Sequence, residues 1–374
     1  MRVLVVTTVH TPLDARIHHR QIRMLRRAGH EVTYAAPWSA TGTDRAAAVE
    51  GVRTIDLPRS LGRRRLSSLR AARRVLRTEA SRHDLVLVHD PELLLVLPRR
   101  RGGTPIVWDV HEDTAASLVD RPWVPGPLRG IAGWLAGRAE AWAESRCHLT
   151  LAEASYAERF ARDHPLVLNT PWLPETEPPP PGGSRIVYVG RVARSRGAME
   201  ILELARRLRG GELQIEVLGA ADGDVRTAFE EAHARGELVW HGFVPNDRAL
   251  AAVEGAMAGL SLVHPQPNHA GSLQTKVLEY LSRRVPVITT DLPVTGPFVR
   301  SHGIGIVVPV GDDDAVESAV RRLAADAATR EAFADAGHRL VGATWNWDLA
   351  GLAFVELLER WAAGATGGAA GVDR

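Results

Sequence analysis

Gly271-Ser272-Leu273-Gln274-Thr275-Lys276-Val277-Leu278-Glu279-Tyr280, with Val285-Pro286-Val287-Ile288-Thr289 close behind, reads as a polar loop, a helix over about Gln274 to Arg283, and a buried strand. A loop, a helix and then a fully apolar strand is the repeating unit of a parallel sheet. The helix start offers free backbone N–H groups and the positive end of its dipole, which together suit an anion. Lys276 is the sole lysine among 46 basic residues. A chain that otherwise writes its cations as arginine places here a compact, strongly hydrated point charge, three residues before Glu279. The competing reading is a solvated helix charge in an arginine-rich protein.

Outward from this unit the same alternation fills the chain. Before it come strands at Arg2–Thr8, Glu31–Ala36, Val52–Leu57, Asp84–Val88, Pro105–Val110 and His148–Leu151, with helical spacing over Asp14–Ala28, Ser67–Arg82, Glu92–Leu97 and Pro127–Ser145. A second set runs through strands at Arg185–Val189, Gln214–Leu218, Leu238–Trp240, Leu260–Val263 and Ile304–Val308. Its helices are a segment ending at Leu208, then Val225–Ala234, Asp314–Ala325 and Thr329–Val341, with a last one over Trp347–Trp361. Between the sets, Asn169-Thr170-Pro171-Trp172-Leu173-Pro174 leads into Pro178-Pro179-Pro180-Pro181-Gly182-Gly183, the composition of a linker stiff at its prolines and hinged at its glycines. The expected architecture is α/β: two Rossmann-like, doubly wound parallel-sheet domains, residues 1–168 and 184–344, facing across a cleft. Residues 169–183 join them, a helix over 345–362 crosses back to the first, and a tail over 363–374 is frayed. Neither half shows Gly-x-Gly-x-x-Gly after its first strand, nor a P-loop pattern, so dehydrogenase and kinase fingerprints are missing.

Composition bounds the class. At 374 residues with 45% hydrophobic content, two globular domains are the natural division. Cys147 stands alone, which excludes an intrachain disulfide and makes a reducing cytosol the expected compartment. Neither a leader pattern nor an apolar run near the ~20 residues of a membrane span is present. The net charge of +2 hides a division: residues 1–165 carry 26 Lys+Arg against 18 Asp+Glu, and the remainder 20 against 26. Part of the front excess lies on one helix, from Arg63-Arg64-Arg65 through Arg70, Arg73, Arg74 and Arg77. That helix is either a solvated outer face or a peripheral contact with an anionic membrane surface. With no aromatic residues interleaved, nucleic acid is not expected as a partner.

The second half opens on Tyr188-Val189-Gly190-Arg191-Val192-Ala193-Arg194-Ser195-Arg196-Gly197: a strand ends at a glycine, one arginine follows at once, and another stands just before the next helix. Guanidiniums at the end of a strand suit a diphosphate through planar, charge-assisted hydrogen bonds, and Lys276 adds a third cation.

With these residues in view, the chain resembles family-4 glycosyltransferases of the GT-B fold. The matching pieces span its length: His10-Thr11-Pro12-Leu13-Asp14-Ala15-Arg16, His89-Asp90-Pro91, Trp108-Asp109-Val110-His111-Glu112, Gly190-Arg191 through Arg196-Gly197, Val217-Leu218-Gly219, His241-Gly242-Phe243-Val244-Pro245, and Lys276-x-x-Glu279-Tyr280. Trp345-Asn346-Trp347 and its helix resemble the segment that braces the front domain in this fold. The resemblance implies transfer of a sugar from a nucleotide diphosphate donor, with a uridine diphosphate sugar the usual choice, with retention of configuration and without a metal or other cofactor. It implies that Arg191 and Arg196 hold the diphosphate, that Glu279 takes the ribose hydroxyls, and that Ser272, Leu273, Gln274 and Thr275 offer backbone N–H groups. Gly190, Gly219 and Phe243 fall in the same donor set. His111, Arg191 and Lys276 are the catalytic candidates, with His111 near the reacting carbon or O6 of the sugar. On the acceptor side stand Asp14, Arg16, His89, Asp90, Asp109 and Glu112, with His10 a lesser candidate; Asp109 and Glu112 equally suit bonds to nearby backbone. The acceptor is a sugar, a lipid-linked or cell-surface glycan, or a small-molecule natural product.

Two departures stand out. Arg196 occupies the usual lysine position of the Gly-Arg loop, which keeps the charge but changes its geometry. The first glutamate of the common Glu-x7-Glu pair falls on Gly271, which leaves the sugar unspecified; the Ser-x-x-Lys-x-x-Glu-Tyr form resembles a subgroup of the family. His10, His89, His111 and His241 lack the paired spacing of a zinc set. The rival readings are a sugar-nucleotide epimerase of the same two-domain design and a non-catalytic nucleotide-sugar-binding protein.

Overall fold

The computed structural model describes residues 1–97, 104–111, 129–266, 269 and 271–364. They divide into two compact units, one of Met1–Asn169 together with the chain from Leu349 onward, the other of Thr170–Asp348.

In the first unit six strands lie parallel: β1 (Arg2–Val6), β2 (Glu31–Ala36), β3 (Arg53–Asp56), β4 (Leu85–Val88), β5 (Ile106–Val110) and β6 (His148–Leu151). Their order is β3-β2-β1-β4-β5-β6. β1 is central, with Val3 paired to Val32 on one side and Leu85 on the other, and its apolar run is buried throughout, as a parallel strand covered on both faces requires. The second unit repeats the plan with β7 (Arg185–Val189), β8 (Gln214–Leu218), β9 (Val239–Trp240), β10 (Ala258–Ser261), β11 (Val287–Thr290) and β12 (Gly305–Val308), in the order β12-β11-β10-β7-β8-β9. Both are doubly wound sheets whose winding reverses between the first and fourth strands, β1/β4 and β7/β10. Ligands of such sheets sit beyond the carboxyl ends at that reversal. Thr7, Thr8, His89 and Asp90 stand there in one unit; Gly190, Leu262 and Val263 stand there in the other.

Tyr280 fixes the second reversal point. Its hydroxyl accepts from Val189 N at 2.8 Å and donates to Leu260 O at 3.2 Å, tying the ends of β7 and β10 together. Gly259 makes room, because a Cβ there would lie 2.4 Å from the Tyr280 ring. The last helix, Trp347–Ala362, brings Trp361 onto His148 with ring centroids 4.6 Å apart, and Glu359 to His30 Nε2 at 3.1 Å. These contacts make it part of the first unit.

Some elements differ from expectation. The helix expected over Asp14–Ala28 begins as a π-helix, Ile17–Ile22, before turning α over Arg23–Arg27. Residues Pro91–Val96 form a 3-10 helix, since prolines at 91 and 98 leave no length for an α-helix. Helices Asn246–Ala252 and Thr295–His302 were not anticipated; the second holds Pro297 in its first turn, where proline is tolerated. The proline-rich segment lies on the second unit: Gly182 N donates to Gly255 O at 2.9 Å and Leu173 N to Asp348 Oδ2 at 3.2 Å, so Gly182 is bonded where a free hinge was expected. The tail from 365 lies outside the described residues.

Candidate active site

The second unit builds its site on two close backbone crossings. Gly190 ends β7 at φ +119°, and its N–H donates to Leu218 O at 3.0 Å. A Cβ at Gly219 would lie 1.8 Å from Gly190 O, so a side chain there is excluded. Gly197, at φ +84°, lies against Leu262, where a Cβ would sit 2.4 Å from the Leu262 carbonyl oxygen. Only glycine meets both the backbone angle and the approach. Neighbouring carbonyls are pinned, Arg191 O by the Tyr188 hydroxyl at 2.7 Å and Gly219 O by Trp240 Nε1 at 2.8 Å.

Lys276 comes up beneath this loop from the first turn of the helix Thr275–Ser282. It is 6% exposed, its Nζ lies 3.7 Å from the centroid of the Tyr188 ring and 3.7 Å from where a Cβ of Gly190 would stand, and among the described residues it has no hydrogen-bond partner. Burial and the nearby Arg196 guanidinium hold its pKa well below that of an ordinary lysine, with Glu279 opposing. Glu279, one turn along, is buried and accepts from Asn246 Nδ2 at 3.2 Å. The loop ahead of the helix is held by Thr295, whose hydroxyl accepts from Gln274 N and donates to Ser272 O, both at 3.4 Å. Gln274 stands at the N-cap without a side-chain bond to the helix, whose first turn is closed by Val277 N donating to Gln274 O at 2.9 Å. Leu273 packs on the apolar core behind the loop.

Of the expected donor cations, the structure brings Lys276 and Arg196 together but not Arg191. The Arg191 guanidinium forks onto Asp222 at 2.6 and 2.9 Å and is 67% exposed. Phe243 is 77% exposed and joins no described cluster.

The first unit gathers its polar residues at the ends of β1, β4, β5 and β6. Asp109, fully buried at the end of β5, takes a bidentate bond from Arg16 at 2.7 and 2.7 Å and another from the Thr150 hydroxyl at 2.7 Å. Burial alone would raise its pKa, but Arg16 holds the carboxyl well below the usual range. Arg16 also donates to Asn169 Oδ1 at 2.8 Å. Asp14 accepts from the backbone N–H of Arg16 at 2.8 Å and Ile17 at 3.0 Å, fixing the start of the π-helix; against its burial, His10 keeps its pKa low. Asp90 holds the β1 loop, accepting from the Thr7 hydroxyl at 2.9 Å, the Thr8 hydroxyl at 3.0 Å, Val9 N at 3.2 Å and Thr8 N.

His111 Nδ1 lies 3.0 Å from Asp109 O, which can only accept, so that nitrogen carries the proton and Nε2 presents a lone pair. His10 Nε2, 2.9 Å from His111 Nε2, is then the donor, and the His10 ring also lies 3.7 Å from Asp14 and 3.6 Å from Asp90. His89 is fully buried 3.2 Å from Asp109, and burial lowers its pKa. His89, Asp109 and His111 offer three ligand atoms within 4.8 Å of one another. The donor set suits an ion better in type than in state: Arg16 and Thr150 already bond both Asp109 oxygens, and His111 Nδ1 points its proton at a carbonyl. Glu112 lies outside the described residues.

Sequence reasoning missed Glu153, two residues beyond β6, whose carboxyl burial pushes up to about 7 with Arg16 opposing. It also missed Tyr188, Asn246 and Thr295. The partners of Asn246 and Thr295 are distant in the chain and no motif marks them, while Tyr188 opens the Gly-Arg stretch but its contact with Lys276 spans 88 residues.

A family model described as glycosyl transferases group 1 matches residues 183–326, and one described as glycosyltransferase family 4 matches residues 15–167. An alignment of 177 positions, which takes in 44% of this chain, is 28% identical to an alpha-D-kanosaminyltransferase of Streptomyces kanamyceticus and covers 43% of it, less than half of that relative's length. Among solved structures the chain is similar to sucrose-phosphate synthase from Thermosynechococcus elongatus, at TM-score 0.74 and 15% identity over 97% of this chain and 100% of that one. It is also similar to HepE from Anabaena in complex with UDP-glucose, at TM-score 0.69 and 11% identity over 96% and 99%. At these identities the likeness speaks for the fold, two doubly wound parallel sheets of GT-B type.

Proposed function

We propose that this chain, a GT-B fold whose halves match the group 1 and family 4 glycosyltransferase models, moves a sugar from a nucleoside diphosphate to an acceptor hydroxyl with retention of configuration. The observation that carries the proposal is Lys276: a buried amine side chain without a hydrogen-bond partner among the described residues, beside Arg196, at the β7/β10 reversal and in the first turn of a helix that Gln274 does not cap with its side chain. A diphosphate is the ligand that this set lacks.

In this reading the bond from the anomeric carbon to the phosphate oxygen breaks as the acceptor oxygen bonds to the same face of that carbon. The acceptor proton passes to the departing phosphate. Lys276, Arg196 and the helix N–H groups stabilise the charge that develops, which is where preorganised donors act most strongly. Arg191 joins them by leaving the exposed Asp222 pair, a small cost for a surface interaction. Glu279, held by Asn246, takes the ribose hydroxyls, and no metal is called on. A uridine diphosphate sugar is the donor of first choice, supported by the UDP-glucose complex of a structure that shares the fold.

Two acceptor classes each have support. The kanosaminyltransferase relative favours a small-molecule natural product. The helix Arg65–Glu79 and its lead-in favour a lipid-linked acceptor at a membrane surface: Arg64, Arg70, Arg73, Arg74 and Arg77 are exposed, and none has a carboxylate partner among the described residues. No described helix is long and apolar enough to cross a membrane.

The test is release of nucleoside diphosphate from a panel of nucleotide sugars, with and without acceptors of both classes. Release that depends on acceptor supports transfer. New sugar epimers without acceptor support an epimerase, and binding without turnover supports a sensor.

A further inference from the structure

The burial of Lys276 poses a charge problem that its surroundings leave unsolved. Four titratable or charged groups face it: Tyr188 from β7, Arg196 from the turn before the helix Ala198–Leu208, His269 from the preceding loop, and Glu279 from its own helix. Arg196 is a permanent cation and opposes a second one beside it. His269 is pushed toward its neutral form by burial and by Arg196. Tyr188 offers only its ring face, its hydroxyl being bonded to Arg191 O. Glu279 and the face of the Tyr188 ring favour the ammonium, but Glu279 accepts from Asn246 and a ring face is no substitute for oxygen acceptors. An ammonium stripped of water needs hydrogen-bond acceptors as well as an opposite charge, and among the described residues none reaches Nζ.

We propose that Lys276 rests as a neutral amine in the free protein and takes up one proton from solvent when a nucleoside diphosphate binds. The inference rests on the reading of this loop as the diphosphate site. The empty site then avoids two adjacent cations. The full site gains its ammonium together with the anion that needs it, as R–NH2 plus a proton gives R–NH3+ against the phosphate oxygens. Because binding takes up a proton, affinity falls as pH rises, by up to about tenfold per pH unit wherever the free amine is neutral and the bound one charged.

The experiment is calorimetric titration of UDP into the full chain at about pH 8, above the ~6 of a terminal phosphate, in buffers of different ionisation enthalpy. About one proton should be taken up per UDP bound. The uptake should persist in His269→Gln and vanish in Lys276→Arg, whose guanidinium is charged before and after. Binding of UDP without proton exchange, or equal uptake in Lys276→Arg, overturns the proposal and leaves the donor-site reading standing. Should Lys276→Arg fail to fold, the pH dependence of the wild-type dissociation constant decides: a flat profile from about pH 7 to 9 overturns it. Failure of UDP, ADP, GDP and TDP alike to bind overturns the donor site itself and this inference with it.

Discussion

At the scale of single residues, the chain places its charges in two contrasting ways. Arg16 and Asp109 are buried, bidentate and mutually satisfied, whereas Lys276 is buried and waiting for a partner. The first arrangement serves structure. Removing one member leaves the other charged and dry, so Asp109→Ala should cost about 3–5 kcal/mol in denaturant unfolding, as breaking a buried pair does. A loss below about 1 kcal/mol would mean that Arg16 finds water instead. The second arrangement serves a ligand. Lys276→Ala should leave the unfolding midpoint near that of the parent and lower transfer turnover by ~10² or more, the scale of one lost preorganised donor. Turnover within a few fold of the parent would remove Lys276 from the chemistry. The two were unequally legible. Lys276 announces itself as the only lysine of an arginine-rich chain, while Arg16 and Asp109 are 93 residues apart and nothing in their spacing pairs them. Arg191 shows the opposite limit, since its motif is plain in the sequence but the attraction of Asp222, 31 residues away, is not.

Among elements, the legible ones were those whose pattern is dictated by burial on both faces. β1, β4, β7 and β11 are apolar runs that no solvent-facing strand would carry, and they fall where expected. The elements that escaped are ruled by tertiary contacts: the π-helix is organised by Asp14 bonding back to its first N–H groups, and Thr295–His302 carries a glycine and a proline that only its packing overrides. The glycine crossing at the donor site gives a sharp element-scale prediction. Gly219→Ala drives a Cβ into Gly190 O, and the two strand ends must part to admit it. A stability loss of about 3 kcal/mol, the upper end of ordinary overpacking, is expected together with weakened UDP binding. The helix Arg65–Glu79 gives another. Leu61 and Leu66 are each 67% exposed near its start, among the exposed arginines of the same stretch. Roughly 1 kcal/mol per arginine near an anionic bilayer predicts cosedimentation with phosphatidylglycerol vesicles that salt reverses and that Arg70→Glu with Arg73→Glu abolishes. Equal recovery on neutral phosphatidylcholine vesicles would count against a charged surface and leave the soluble acceptor as the better reading.

For the molecule as a whole, the two units carry the same strand order, and Asp14 and Asp109 in one and Lys276 in the other all lose stability as pH falls, in different pH windows. In the first unit Asp14 and Asp109 have folded pKa values below their unfolded ones, so the stability they contribute is present above the unfolded value near 4 and is lost as pH falls toward their folded values. Glu153, raised to about 7, acts in the other direction: it favours the folded state as pH falls from about 7 toward its unfolded value near 4. In the second unit Lys276 has a folded pKa below its unfolded one, so the free protein gains nothing from charging it and loses stability as pH drops below the unfolded lysine value. A saturating diphosphate reverses that sign by supplying the missing counter-charge. UDP at about 100 times its dissociation constant should add about 2.7 kcal/mol of stability by mass action. If the amine is charged only in the complex, that increment at fixed UDP should shrink as pH is raised from about 7 to 9. Hydrogen exchange with and without UDP locates the effect, with added protection expected first at the amides of Gly190 to Gly197 and Ser272 to Val277. Protection confined instead to the loop from His10 to Arg16 would move the nucleotide to the first unit and reverse the assignment of the two halves.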